Sequence, residues 1–216
     1  MIRGIIFDLD GTSINTLEDL HNAVNLTMAE YGYPLKSIDD VRMGIGQGFR
    51  KLMDAVLPAG VDEEQKAAVG SRYMEIYSEN YDLYSKPYPG FSELLKELQE
   101  RGIKLAINSN KGDRLTRTLI SQCFPDIEFT AVCGERENIP RKPDPYAANE
   151  IIEQMGLKKE EVLYVGDSNT DIATGKNAGV KTVGCLWGFR DYETLKQAGA
   201  DKIISEPKEL LECLSM

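Results

Sequence analysis

The feature that most constrains this chain is the stretch Ile5-Ile6-Phe7-Asp8-Leu9-Asp10-Gly11-Thr12. An apolar run rich in β-branched residues (Ile2, Ile5, Ile6, Phe7) stops abruptly at two acids. The run is too short to span a membrane and reads as a buried strand. Residues i and i+2 of an extended backbone project to the same side, so Asp8 and Asp10 are presented together. In open α/β sheets the chemistry gathers beyond the carboxyl ends of the strands. Two carboxylates placed there repel each other unless positive charge lies between them, and a divalent cation supplies it.

The rest of the chain sorts into two kinds of sequence. Residues 15 to 85 carry helical stripes: Leu20, Val24 and Met28; then Phe49, Leu52, Met53, Val56 and Leu57; then Val69, Tyr73, Ile76 and Tyr77. Ser37 and Asp40 have the spacing of a capping box. No strand is expected between 15 and 85. Ser13-Ile14-Asn15-Thr16 reads as a short polar connection, and the lone His21 as a helix-surface residue. Lys86-Pro87-Tyr88-Pro89-Gly90 then changes the character of the chain, as a hinge does.

From there strands and helices alternate. Strands are expected at Lys104 to Ile107, Phe129 to Cys133, Val162 to Val165, Thr182 to Cys185 and Lys202 to Ile204. Helices are expected around Leu115 to Ser121, over 146 to 155 and from about Asp171 to Asn177. Alternation of this kind predicts an α/β fold with a Rossmann-like, mostly parallel sheet. The first strand must join that sheet to bury both its faces. Residues 1–14 and 86–216 therefore form the core domain, and 15–85 an inserted all-helical cap domain.

With 42% hydrophobic residues the chain supports a sizeable core, and its formal net charge of -10 opposes binding to nucleic acid or to anionic membranes. An anionic substrate needs local positive charge here. Cys123, Cys133, Cys185 and Cys213 are scattered, without a Cys-x-x-Cys pair. They read as reduced thiols of a cytoplasmic protein, and the first residues lack the pattern of a signal peptide.

Each polar cluster of interest follows a strand. Ser109, in the expected loop after Ile107, offers a hydroxyl beside backbone N–H groups, which suits phosphate oxygens. Lys142 is followed by Pro143, which favours an extended backbone, and Asp144 is placed to cap a helix starting at Pro145. Gly166-Asp167-Ser168-Asn169-Thr170-Asp171 sets two acids four residues apart on a turn entering a helix. Asp171 also reads as a helix N-cap. Asp8, Asp10 and Asp167 make an all-oxygen set that suits Mg²⁺, whereas the isolated His21 argues against zinc.

In this order the segments Phe7-Asp8-Leu9-Asp10-Gly11-Thr12, Ser109-Asn110-Lys111, Lys142-Pro143 and Gly166 to Asp171 closely resemble the four motifs of the haloacid dehalogenase superfamily. Tyr88-Pro89-Gly90, Leu186-Trp187-Gly188 and Glu209-Leu210-Leu211 are similar to its phosphoglycolate phosphatase branch. The resemblance implies that Asp8 is a nucleophile forming an aspartyl phosphate and that Asp10 is the acid, then the base. It implies that Ser109 and Lys142 hold the phosphoryl oxygens, with Asn110 also at the substrate. Mg²⁺ would then be bound by Asp8, the Asp10 backbone carbonyl and Asp167, with Asp171 supporting that shell. Asn15 stands where the family usually has an acid, and Ser13 where it usually has an apolar residue.

The implied activity is Mg²⁺-dependent hydrolysis of a small phosphorylated metabolite, 2-phosphoglycolate first among them, by a monomer or homodimer. The alternatives on the same scaffold are a phosphosugar mutase like β-phosphoglucomutase, and a pyrophosphatase or nucleotidase. Leu20 occupies the position of the mutase's cap histidine, and Phe49-Arg50-Lys51 replaces its Ser-Arg pair, which favours water as the acceptor. The glycine-rich segment Gly44 to Lys51 is not a Walker loop. The related caps turn such a loop to the active site, so Arg50 or Lys51 is expected to contact the part of the substrate that is not phosphate.

Overall fold

In the computed structural model, which describes all 216 residues, β1 (Gly4–Phe7) is buried along its whole length. Such a strand needs apolar cover on both faces and partners on both edges. The chain leaves β1 through β2 (Ile14–Asn15) and runs through four helices: α1 (Leu17–Glu30), α2 (Ile38–Gly44), α3 (Phe49–Val56) and α4 (Glu63–Asn80). It returns through β3 (Lys86–Pro87), which pairs with β2 in a two-stranded sheet. The expected polar connection at 13–16 thus contains a short strand. The chain divides into two compact units, Met1–Ile14 with Pro87–Met216, and Asn15–Lys86.

The helical unit has its own core. Leu20, Val24 and Met28 of α1 are buried, as are Tyr73 and Tyr77 of α4, whose rings stack with centroids 5.8 Å apart. Ser37 and Asp40 form the reciprocal capping box of α2. His21 is not a bare surface residue: it is half-buried, 2.9 Å from Asn25 Nδ2 and 3.0 Å from the Lys36 carbonyl. The segment before α2 folds back on α1 and covers it.

The other unit continues with α5 (Phe91–Glu100), β4 (Lys104–Gly112), α6 (Asp113–Cys123), β5 (Ala131–Glu135) and α7 (Tyr146–Met155). Then come β6 (Val162–Gly166), α8 (Asn169–Ala178), β7 (Lys181–Cys185), α9 (Tyr192–Ala198) and β8 (Lys202–Ile204). Six strands form one sheet in the order β5-β4-β1-β6-β7-β8, with every pair parallel. The first strand therefore sits near the middle of a sheet assembled mostly from the last two-thirds of the chain.

Three local expectations change. β4 does not stop at Ile107; Asn108, Ser109 and Asn110 continue the strand and are buried, with an irregular register against β5 from Asn108 to Gly112. α7 (Tyr146–Met155) has the expected span, but its N-cap is Pro145 rather than Asp144, whose Oδ1 accepts the Tyr146 N–H at 2.9 Å. The Lys142–Pro143 bond just before it is cis. α8 begins at Asn169 because Ser168, not Asp171, is its N-cap; Asp171 is the reciprocal partner in that box.

Candidate active site

β1 lies between β4 and β6, with Phe7 opposite Ile107 on one side and Val165 on the other. Asp8 is the next residue, and its N–H donates to the Val165 carbonyl at 2.9 Å. The acid thus leaves the sheet at the point where strands run off in both directions, the usual place for a ligand site. Ser13 is fully buried and donates its hydroxyl to the Asp8 carbonyl at 2.6 Å, which gives a reason for a polar residue where the family usually has an apolar one. Asn15 Oδ1 accepts the Leu17 N–H at 3.3 Å, at the start of α1.

Asp8, Asp167 and Asp171 bring buried carboxylate oxygens within 4.8 Å of one another. Lys142 Nζ donates to Asp8 Oδ1 at 2.6 Å and to Asp171 Oδ1 at 2.7 Å. The other Asp171 oxygen accepts the Ser168 hydroxyl and N–H. Asp167 is held on both oxygens, by Thr12 Oγ at 2.9 Å and by the Phe189 N–H at 2.7 Å. Gly188 permits this last contact, because a Cβ there would collide with Asp167 and with the Gly11 carbonyl. Trp187 Nε1 donates to the Thr12 carbonyl at 2.9 Å and fixes the same turn from outside.

Burial dominates the electrostatics. It raises Asp8 well above the ordinary carboxylate range, and the Asp171 charge adds to it; Lys142 pulls the other way and does not win. Asp167 is pushed up to about 7, first by burial and then by Asp171, against the hydrogen bonds from Phe189 and Thr12. Burial would lower Lys142, but Asp171 and Asp8 outweigh it and hold the ammonium well above its usual value. Three clustered carboxylates thus share one ammonium, which pairs with two of them. The excess negative charge and the oxygen-only donor set fit a hard divalent cation.

Asp10 stands apart from that cluster. Its carboxylate is 3.0 Å from Lys111 Nζ, and the lysine side chain is only 5% exposed. Ser109 is buried on β4, where its hydroxyl accepts the Lys111 N–H at 3.1 Å. Asn110, expected at the substrate, joins its amide to the backbone of Lys142: its Oδ1 accepts the Lys142 N–H at 3.0 Å, and its Nδ2 donates to the Lys142 carbonyl at 3.2 Å. Arg50 and Lys51 belong to the helical unit; both are exposed on α3, and Lys51 lies 3.6 Å from Asp54. Sequence reasoning assigned no part to Thr12, Lys111, Ser168 or the Trp187–Phe189 turn. The signal for Lys111 was present, since it closes the same short segment as Ser109.

The haloacid dehalogenase-like hydrolase family model matches residues 5–185. A phosphoglycolate phosphatase of Aquifex aeolicus is 34% identical over 213 residues, covering 99% of this chain and 97% of its own. Phosphoglycolate phosphatase 1 of Pseudomonas aeruginosa is 31% identical over 216 residues, 98% of this chain and 79% of the relative. A crystal structure from Lactobacillus delbrueckii subsp. bulgaricus, provisionally described as a phosphoglycolate phosphatase, superposes with a TM-score of 0.93 at 27% identity, covering 98% of each chain. With the acids, the lysine and the sheet in this arrangement, the chain belongs to the haloacid dehalogenase-like hydrolase family, as a phosphatase of the phosphoglycolate phosphatase-like kind.

Proposed function

We propose that this chain hydrolyses a small phosphate monoester, 2-phosphoglycolate or a close analogue, through an aspartyl phosphate on Asp8. The observation that carries the proposal is Lys142 Nζ held between Asp8 and Asp171 beside Asp167. A carboxylate that attacks a phosphate is an anion approaching an anion, so it needs concentrated positive charge at the point of attack. Mg²⁺, held by Asp8, Asp167, Asp171 and the Asp10 carbonyl, would supply the larger share of that charge.

The chain's own groups perform the steps. An Asp8 carboxylate oxygen forms the bond to phosphorus while the bond to the leaving oxygen breaks, and Asp10 gives that oxygen a proton. Asp10 then takes a proton from water, the water oxygen attacks the phosphorus, and Asp8 is released with free phosphate. Ser109 and Lys142 hold the phosphoryl oxygens during both transfers. Arg50 and Lys51 keep the substrate-binding role expected for them as part of the same proposal, as do the cytoplasmic setting and a monomer or homodimer as the acting species.

The test is phosphate release from a panel of phosphorylated metabolites with Mg²⁺, with β-glucose 1-phosphate and a trace of its bisphosphate included. Mg²⁺-dependent release of free phosphate, fastest from 2-phosphoglycolate, is the expected result. Rapid isomerisation to glucose 6-phosphate with little free phosphate would overturn the proposal in favour of a mutase.

A further inference from the structure

We infer that Lys111 reads the leaving group, and that it selects phosphate monoesters whose leaving group carries a carboxylate close to the ester oxygen. The inference rests on the phosphatase reading and extends it to a residue to which that reading gives no part. Lys111 touches both halves of the reacting centre. Its backbone N–H donates to Ser109 Oγ, beside the proposed phosphoryl site, and its ammonium pairs with Asp10, the group that protonates the leaving oxygen. A cation paired with that acid stands on the leaving-group side of the reaction in this reading.

The chain's charge favours such a cation. The net charge is -10, and Asp8, Asp167 and Asp171 together outnumber the single Lys142 that binds two of them. An anionic leaving group entering beside that cluster is received best by a nearby cation, and Lys111 is the one paired with Asp10. Lys111 is nearly buried, so its attraction for a carboxylate is weakly screened, and an ammonium offers three donors in three directions. A substrate carboxylate arriving beside Asp10 meets this charge. In 2-phosphoglycolate one methylene separates the ester oxygen from the carboxylate, and ethyl phosphate replaces that carboxylate with a methyl group.

The experiment compares kcat/KM for these two substrates in the wild type, Lys111→Met and Lys111→Arg, with thermal midpoints as a folding control. Wild type is expected to prefer 2-phosphoglycolate. Lys111→Met is expected to lose about 30-fold or more on 2-phosphoglycolate beyond whatever it loses on ethyl phosphate. Lys111→Arg is expected to retain most of the preference. Equal losses on both substrates in Lys111→Met would show that the lysine serves only to hold Asp10, and would overturn the inference. A wild type that turns over both esters equally well overturns it without any variant. A wild type that hydrolyses no phosphate monoester sinks the phosphatase reading itself and the role of Lys111 with it, an outcome distinct from the other two.

Discussion

Asn110 and Lys142 are joined at two points: the asparagine amide accepts from the lysine N–H at 3.0 Å and donates to the lysine carbonyl at 3.2 Å. A side chain on β4 therefore sets the backbone from which the Lys142 ammonium reaches Asp8 and Asp171. Asn110→Ala would leave a buried N–H and C=O of Lys142 without these partners, at a cost of about 1–3 kcal/mol. We expect a lower thermal midpoint and a kcat reduced at least tenfold, with KM for the phosphate ester changed much less. A variant with wild-type kcat would remove Asn110 from any part in positioning the lysine.

Asp8→Asn is expected to abolish turnover and leave the fold intact. The amide is nearly isosteric and its oxygen can still accept from Lys142, but it cannot form the aspartyl phosphate. Burial and Asp171 already raise the Asp8 carboxyl, so an uncharged group there should leave the metal-free thermal midpoint unchanged or higher. Steady-state rate and midpoint are measured on one preparation; activity within tenfold of wild type excludes Asp8 as the nucleophile.

Stability should depend on pH with a sign that Asp167 sets. In the folded, metal-free protein it titrates at about 7, far above an unfolded aspartate, so the native state binds the extra proton between the two values. Its contribution is complete below the unfolded value and is lost as pH rises through about 7. A bound cation favours the ionised form. The rise in thermal midpoint caused by Mg²⁺ over a chelator should therefore grow from pH 5 to pH 8, and scanning calorimetry at intervals checks it. A rise that shrinks over that range contradicts the assignment.

Gly188→Ala tests the turn behind the acids. The added methyl would collide with Asp167 and the Gly11 carbonyl, displacing the Phe189 N–H from the carboxylate. We expect the Mg²⁺ concentration for half-maximal activity to rise about tenfold or more, the range found when groups orienting a metal ligand are lost. Gly112→Ala is the control, because a Cβ there meets nothing within 4 Å. Equal behaviour of the two variants would mean that this turn does not hold Asp167.

Much of the fold was legible because its signals were local. Apolar runs closed by glycine or by acids marked β1 and β6, and the helical stripes marked α1, α3 and α4. β4 was cut short because Asn108, Ser109 and Asn110 are polar, and only the neighbouring strands reveal that they are buried and still in the sheet. α9 went unread because it has only seven residues and one fully buried side chain, Leu195; Asp191 as N-cap and Gly199 in the left-handed conformation were its available signals. Asp8, Lys142, Asp167 and Asp171 could each be picked out at the ends of elements. The contacts among them could not, since the Lys142–Asp8 pair spans 134 positions of sequence and the Thr12–Asp167 bond 155.

Those separations have a consequence for how the protein is made. β1 is synthesised first, yet its two sheet neighbours are β4 and β6, so residue 7 waits for residues 107 and 165 before both its edges are covered. At a ribosomal rate of about 5–20 residues per second, the nascent chain carries Asp8 and an unpartnered apolar strand for roughly ten seconds or more. No prefix that ends before Asp167 can assemble the acidic cluster. A ribosome stalled between the codons for Asp8 and Asp167 therefore releases a chain that holds Asp8 but not the acidic cluster around it.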